Sequence, residues 1–467
     1  MKRKYVFGAA LLAACASLTS PASNPLSFSS YEREVRAVFA TPEEAAAAEM
    51  KICALPHGAK LAFTTRWDDS SMKHREKRPV INAAGYKATF FLIGDAGYAR
   101  VFGPGLLVGG NALGNHTTHH PSLRKETLSK MFSEIVLNRA MIESATDFPV
   151  VSFVIPYCWI FENPNRPGEL VRILCDTGHY VSSDWPLPNC PVGYDTWMPG
   201  HTFDADDKAP NPEKFHARLK RDVAAALKDN YPKVTFGIHS WCDEAGNELQ
   251  CKLLSEYAGN PEWFYGNDNE YGAHRYAGLH GKAVRKSVSG CEAVFSLEMF
   301  DPAQIGSDIP VSVSFSAKPT KVSVGDSVLA EDRGTYAVPH SRPRLSVADT
   351  AKNDGTFAKF PGLSVSVKPD EAAGKLSVEV VNGSPSAFDD LVVTFLPHPG
   401  WKNGRVVRSL GAVAAGKNAS AVVELGDRLD DPARWSGPSL YVVSADFHMD
   451  GKACRAWASA TLDNPTK

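Results

Sequence analysis

An excess of either charge is missing from this chain: across 467 residues, 50 lysines and arginines stand against 52 aspartates and glutamates, a net charge of −2. A protein so balanced has no electrostatic pull toward nucleic acid, and a neutral partner such as carbohydrate fits it better. The apolar run at residues 5–14, behind Lys2-Arg3-Lys4, is too short to span a bilayer. Nine cysteines are present, yet none stands in a Cys-x-x-Cys spacing, which argues against a thiolate zinc site.

What is present begins with an address. A basic start followed by a short apolar run reads as an export signal over residues 1–22. Its end, Leu12-Ala13-Ala14-Cys15, resembles a bacterial lipobox, in which Cys15 would carry the lipid; ordinary cleavage in the small-residue run at 16–23 is the other reading. Either way the expected location is the bacterial cell envelope, with membrane attachment through Cys15 in the first case. Removing Cys15 leaves eight cysteines, an even number in a compartment that permits disulfides, and Cys242 and Cys251 are close enough to bridge a local loop. Residues 23–50 read as a linker with a short helix opening at Thr41-Pro42-Glu43-Glu44.

The chain is too long for one hydrophobic core, so two or three domains are expected. From about Lys51 strands alternate with helices. Leu61-Ala62-Phe63-Thr64-Thr65 runs into Arg66-Trp67-Asp68-Asp69-Ser70, a strand delivering two adjacent carboxylates at its carboxyl end. Residues 87–94 form a second strand. Gly114-Asn115-His116-Thr117-Thr118-His119-His120-Pro121 follows, with three imidazoles inside five residues. Such density points to a metal, since two histidines four apart can turn toward one ion. Leu128, Met131, Phe132, Ile135, Arg139 and Ile142 mark one helical face, which places His120-Pro121 at the entrance of a helix. Strands are expected at 150–157, 179–185 and 234–239, and helices at 170–176 and 211–229. This order predicts an α/β parallel sheet over residues 51–283, with chemistry at the carboxyl ends of its strands. From about Val284 short alternating strands take over, predicting a small β domain at 284–355 and a β-sandwich at 356–467. The latter resembles the Ig-like modules appended to bacterial carbohydrate-active enzymes.

Taken in order, these motifs resemble the NodB-type polysaccharide deacetylases, carbohydrate esterase family 4, over residues 51–283. The resemblance implies a distorted (β/α) barrel followed by all-β sandwich domains. The family's Thr-Phe-Asp-Asp-Gly motif is matched in its two aspartates by Asp68 and Asp69. Its His-Ser/Thr-x-x-His-Pro motif is matched in full by His116 to Pro121, so His116 and His120 inherit a metal role and His119 does not. By this resemblance Asp69, His116 and His120 hold a divalent metal, zinc by preference, Asp68 is the general base and His239 the acid. Tyr157 and Trp185 would line the sugar site, and the substrate would be an acetylated polysaccharide or oligosaccharide.

Three motifs depart from the family. Arg-x-Pro-Tyr appears as Val154-Ile155-Pro156-Tyr157, without the arginine that pairs with the catalytic aspartate. Asp-x-x-Asp-Trp appears as Val181-Ser182-Ser183-Asp184-Trp185, without its first aspartate. Leu-x-His appears as Gly237-Ile238-His239, which hints at an acyl pocket wider than acetate needs. Two readings follow: a deacetylase in which the losses are compensated, or a surface glycan-binding protein on a catalytically impaired deacetylase fold.

Overall fold

The computed structural model describes residues 26, 28–158, 168–182, 201–203, 211–237, 239, 244–342, 345–347, 360–431 and 433–463. Cys15, Asp184, Trp185 and Cys242 lie outside them.

Strands Leu61–Trp67 and Ala88–Leu92 are buried at every position, as parallel strands covered on both faces must be. Among the described residues they belong to one eight-stranded sheet. Its order is Val181–Ser182, Ser152–Phe153, Ala112–Asn115, Ala88–Leu92, Leu61–Trp67, Lys233–Phe236, His201–Phe203. Trp263–Tyr265 pairs with the first half of Leu61–Trp67, and every pairing is parallel. Helices His74–Ala83, Ala96–Leu106, Leu128–Thr146, Glu169–Asp176 and Pro212–Ala226 alternate with these strands. This is the distorted NodB-type barrel that the resemblance implies.

Register decides what meets at the open end. Trp67 lies opposite Phe90, Leu92 opposite Asn115, and Asn115 opposite Phe153. The residues just past these strands, Asp68 and Asp69, His116, and Val154, are therefore neighbours although up to 86 positions separate them.

The expected helical face is buried throughout: Leu128, Met131, Phe132, Ile135, Arg139 and Ile142 all point inward from Leu128–Thr146. Pro121 does not open that helix. A 3₁₀ turn, Leu123–Lys125, intervenes, and the cap is Thr127, whose side chain accepts from the Lys130 N–H. The strand expected at 150–157 shrinks to Ser152–Phe153, because the chain turns at Pro156 and Tyr157 adopts φ 66°.

The largest departure concerns the stretch expected to be a linker. Its short helix is present as Pro42–Ala47, but Ser30–Val38 is a nine-residue strand at the centre of a sheet. It pairs with Glu292–Phe300 along its whole length and with Lys321–Val324. Met50–Ile52 likewise pairs with Val311–Phe315. Val35 and Ala37 reach the core shared with Phe295, Leu297 and Val313, while Glu32, Glu34 and Arg36 at the alternate positions are exposed. The small β unit is thus completed by the chain's own N-terminal strands.

The C-terminal sandwich packs a five-stranded sheet on a three-stranded one. Leu345–Val347, expected in the preceding unit, joins it by parallel pairing with Lys452–Leu462. The sandwich is fastened to the barrel by a buried ionic cluster. Glu143, from the long helix, accepts from Arg139 Nε at 3.0 Å, Arg455 Nη1 at 3.1 Å and Trp457 Nε1 at 2.9 Å, and Arg455 also pairs with Asp446 at 2.6 Å. A buried carboxylate so surrounded meets the condition under which desolvation is offset. Burial opposes its charged form, but Arg139 and Arg455 together hold Glu143 below the usual carboxylate range.

Candidate active site

Asp68 and Asp69 leave the strand Leu61–Trp67 in a backbone that few residues tolerate: φ is 75° at Asp69 and 48° at Ser70. Thr117 (68°), His120 (53°) and Tyr157 (66°) share that left-handed conformation. It is strained for non-glycine residues, and such strain persists only where surrounding bonds over-determine the chain. Here they do. Ser70 Oγ accepts from the Ile93 N–H at 2.9 Å, the His116 N–H donates to Leu92 O at 3.0 Å, and the His120 N–H donates to Thr117 Oγ1 at 3.1 Å.

The histidine loop is held from beneath by the long helix. Glu134, nearly fully buried, accepts from the His119 N–H at 2.7 Å and pairs with His119 Nδ1 at 2.8 Å, while Thr118 bonds its main-chain carbonyl. His119 itself is 70% exposed and turns away from the aspartates. The loop therefore presents His116 and His120, as the resemblance implies.

These two histidines converge on Asp69. Oδ1 of Asp69 lies 3.2 Å from Nε2 of His116 and 3.2 Å from Nε2 of His120, and the two nitrogens are 3.1 Å apart. His239 approaches the other carboxylate oxygen, with Nε2 3.3 Å from Oδ2. Burial works against the charged form of Asp69, but the three imidazoles gathered around it, His116, His120 and His239, outweigh burial and hold the carboxyl far below its usual range.

The trio fits a metal on its donor chemistry. His116 Nδ1 faces the Val154 carbonyl at 2.9 Å, and a carbonyl only accepts, so Nδ1 carries a proton and Nε2 is the nitrogen turned toward Asp69, the orientation that a metal-ligating histidine takes. Asp69 Oδ1 is buried and makes no hydrogen bond of acceptable geometry. A carboxylate oxygen and two Nε2 atoms all within 4.8 Å of one another form the kind of ligand set that a divalent cation satisfies.

Asp68 is buried, at 1% exposure, against Arg66, whose Nη2 donates to Oδ2 at 2.5 Å. His74 Nε2 lies 2.9 Å from the Asp68 carbonyl, and burial pushes the His74 ring down to about 3, so it is neutral and donates that bond. Tyr157 stands 57% exposed with its ring 4.6 Å from that of His120. The structure thus brings together Asp68, Asp69, His116, His120, Tyr157 and His239, while Trp185 lies outside the described residues.

Gly237 does not open the pocket where a leucine would stand. A Cβ there would lie 2.8 Å from Trp67 Cη2 and 2.9 Å from Arg66 O, and φ is 91°. The space is filled by the indole of Trp67, so the hint of a wider acyl pocket has no support at this position. Arg66, His74 and Glu134 are the contributors that sequence reasoning passed over. Arg66 alone had a signal, since residues two apart on a strand share a face.

Residues 60–163 match the family model for polysaccharide deacetylase. Among curated proteins no relative is detected. Solved structures similar to the chain include a carbohydrate esterase family 4 pseudoenzyme from Bacillus anthracis, 20% identical, spanning 46% of this chain and 66% of its own, with a TM-score of 0.32. A family 4 carbohydrate esterase from Streptomyces lividans in complex with acetate is 17% identical over 44% of this chain and 92% of its own, TM-score 0.30. A peptidoglycan deacetylase from Bacillus subtilis is 16% identical over 46% and 92%, TM-score 0.29. The match thus takes in the strand end that carries the paired aspartates and the histidine loop, and over residues 60–163 the chain is similar to the polysaccharide deacetylases.

Proposed function

We propose that this protein is a zinc-dependent hydrolase that removes acetyl groups from an N- or O-acetylated glycan at the bacterial cell envelope, anchored there through Cys15. The observation that carries the reading is the Asp69 carboxylate oxygen shared by two imidazole nitrogens at 3.2 Å, with a second aspartate beside it and a third histidine at 3.3 Å. Asp69, His116 and His120 would hold the zinc ion, which when bound would supply Lewis-acid chemistry toward the acyl oxygen and the attacking water. The remaining work falls to the chain. Asp68 takes a proton from the attacking water as its oxygen adds to the acyl carbon. The backbone N–H near Tyr157 donates to the oxyanion that develops. His239 gives a proton to the leaving nitrogen or oxygen as its bond to carbon breaks, yielding acetate and a free amine or hydroxyl. Exposed Tyr157 offers a ring face on which a sugar stacks, with Trp185 as its partner.

Purified protein supplied with zinc is expected to release acetate from acetylated oligosaccharides, and Asp68→Asn to lower that release by at least about a hundredfold. Glycan binding with no acetate release under zinc, cobalt, nickel or manganese would instead establish the other reading, a binding protein on an impaired fold. Glu134→Ala leaves all three ligands in place but frees the loop that carries two of them. It is expected to weaken zinc affinity about 10- to 100-fold, measured by competition with a chelating dye.

A further inference from the structure

The geometry points to Arg66 as the residue that positions the catalytic base: its guanidinium occupies Oδ2 of Asp68 and leaves Oδ1 as the oxygen that receives the proton from water. This rests on the deacetylase reading and adds to it a positioning residue and a named atom.

The argument starts from the strand. Side chains alternate along an extended chain, so Arg66 in Leu61–Trp67 and Asp68 just beyond it point to the same side. Both are 1% exposed, and Nη2 of Arg66 lies 2.5 Å from Oδ2 of Asp68. The guanidinium is planar, permanently charged and preorganised, so a contact this short fixes the carboxylate plane as well as its position. A buried lysine at the same place would supply charge without that direction.

The other bonds of Asp68 agree with this division of labour. Its main-chain carbonyl lies 2.9 Å from His74 Nε2, which pins the peptide between the two aspartates. Its Oδ1 is buried and has no hydrogen-bond partner among the described residues. An anionic oxygen left so is costly in a purely structural ion pair, and is what a base awaiting a water requires. The strand beneath is itself immobilised, because Gly237 lets Trp67 and the Arg66 carbonyl press within 3 Å of where a Cβ would stand. Lys77 lies over the Trp67 ring at 4.6 Å from its centroid.

The test uses Arg66→Met and Arg66→Lys in the full chain, with zinc content, kcat and KM measured for each. Arg66→Met is expected to keep wild-type zinc stoichiometry and a KM within about threefold, while kcat falls about a hundredfold, the scale of a misdirected base. Arg66→Lys is expected to recover part of that loss. A kcat for Arg66→Met within about threefold of wild type overturns the inference, as does a loss that tracks zinc or KM instead. Urea unfolding of Arg66→Met, Asp68→Asn and the double variant provides a readout that does not depend on activity. The pairing requires the double variant to lose less than the sum of the singles, and additive losses would overturn it. If the wild type releases no acetate with any metal, the deacetylase reading fails on its own, and the unfolding cycle still decides whether Arg66 and Asp68 act as a pair.

Discussion

Asp69→Asn is expected to strip the protein of zinc and to lower acetate release by on the order of a thousandfold or more, with the fold intact. Asparagine is the informative choice because Asp69 sits at φ 75°. Asparagine accepts that conformation, whereas alanine there adds about 1–2 kcal/mol of backbone strain. The substitution therefore isolates charge. What it removes is the carboxylate that faces His116 and His120 among the described residues, where the two Nε2 atoms approach to 3.1 Å. Two imidazole nitrogens that close to one another and to a carboxylate oxygen can share one cation, and an amide holds a divalent ion far less well than a carboxylate does. His239 also loses the carboxylate at 3.3 Å that orients it, so both flanks of the site are disturbed by a single change. Zinc content by mass spectrometry, acetate release, and the thermal unfolding midpoint should be measured together. Retention of stoichiometric zinc by the Asp69→Asn variant would refute the assignment of the trio, and early unfolding of that variant would implicate structure instead.

Much of this site could be read from one dimension because its residues sit at strand ends in fixed motifs. Asp68 and Asp69 after Leu61–Trp67, and His116 after Ala112–Asn115, needed only the alternation of buried strands and helices to be placed at one end of a barrel. What could not be read is how the loops hold themselves. Left-handed backbone at Ser70 and Thr117 has no signature in those residue types, since it belongs to loops fixed by bonds to Ile93, Leu92 and Glu134 that the order of residues does not reveal. Gly237 shows the same limit in reverse. Compared with a motif it looked like a missing wall, and only the position of Trp67 shows that the volume is occupied.

The segment expected to be a linker failed for a different reason. Ser30–Val38 reads Ser-Tyr-Glu-Arg-Glu-Val-Arg-Ala-Val, four charges in nine residues, and buries only Val35 and Ala37 completely. Such a strand is stabilised by its pairing, and its partner Glu292–Phe300 lies more than 250 positions away. Sequence-local reasoning weighs composition and has no access to that contact. One consequence concerns stability: the N-terminal strands close a sheet with the chain that follows the barrel, and Arg455 and Trp457 of the sandwich bind Glu143 in the barrel's long helix. Barrel and β units are therefore coupled by shared elements, and damage to one should be felt in the others.

That coupling makes the second large prediction one about the whole molecule: mild acid should destabilise it steeply. Burial holds His74 and His274 down to about 3 and His398 down to about 4, and places His179 well below its ordinary value. Hydrogen bonds explain why protonation is refused. Ring nitrogens of His274, His398 and His179 lie 3.0 to 3.1 Å from the Ser312 N–H, the Gly400 N–H and the Asn115 amide, which can only donate, so an added proton would meet a donor. Because these values are depressed in the folded state, the unfolded chain takes up protons first as pH falls. Stability from the neutral rings is complete above about pH 7 and is lost from about 6.5 downward. At pH 5.5, one unit below the ordinary imidazole value, each ring costs about 1.4 kcal/mol, and the four about 5–6 kcal/mol together, whatever the folded values below pH 4 or so. Asp176 opposes this. Burial raises its carboxyl to about 6, so it gains about 1 kcal/mol from acid at that pH, leaving a net loss of about 4–5 kcal/mol. Set against the roughly 5–15 kcal/mol of a typical folded protein, that is a large share. Thermal unfolding midpoints in matched ionic strength should fall sharply between pH 7.5 and 5.5, and a midpoint unchanged across that window would show that these histidines are not the buried neutral acceptors described. The four rings sit in the barrel, at its junction with the small β unit, and against the sandwich, so the decline should appear as one transition spread over the coupled units.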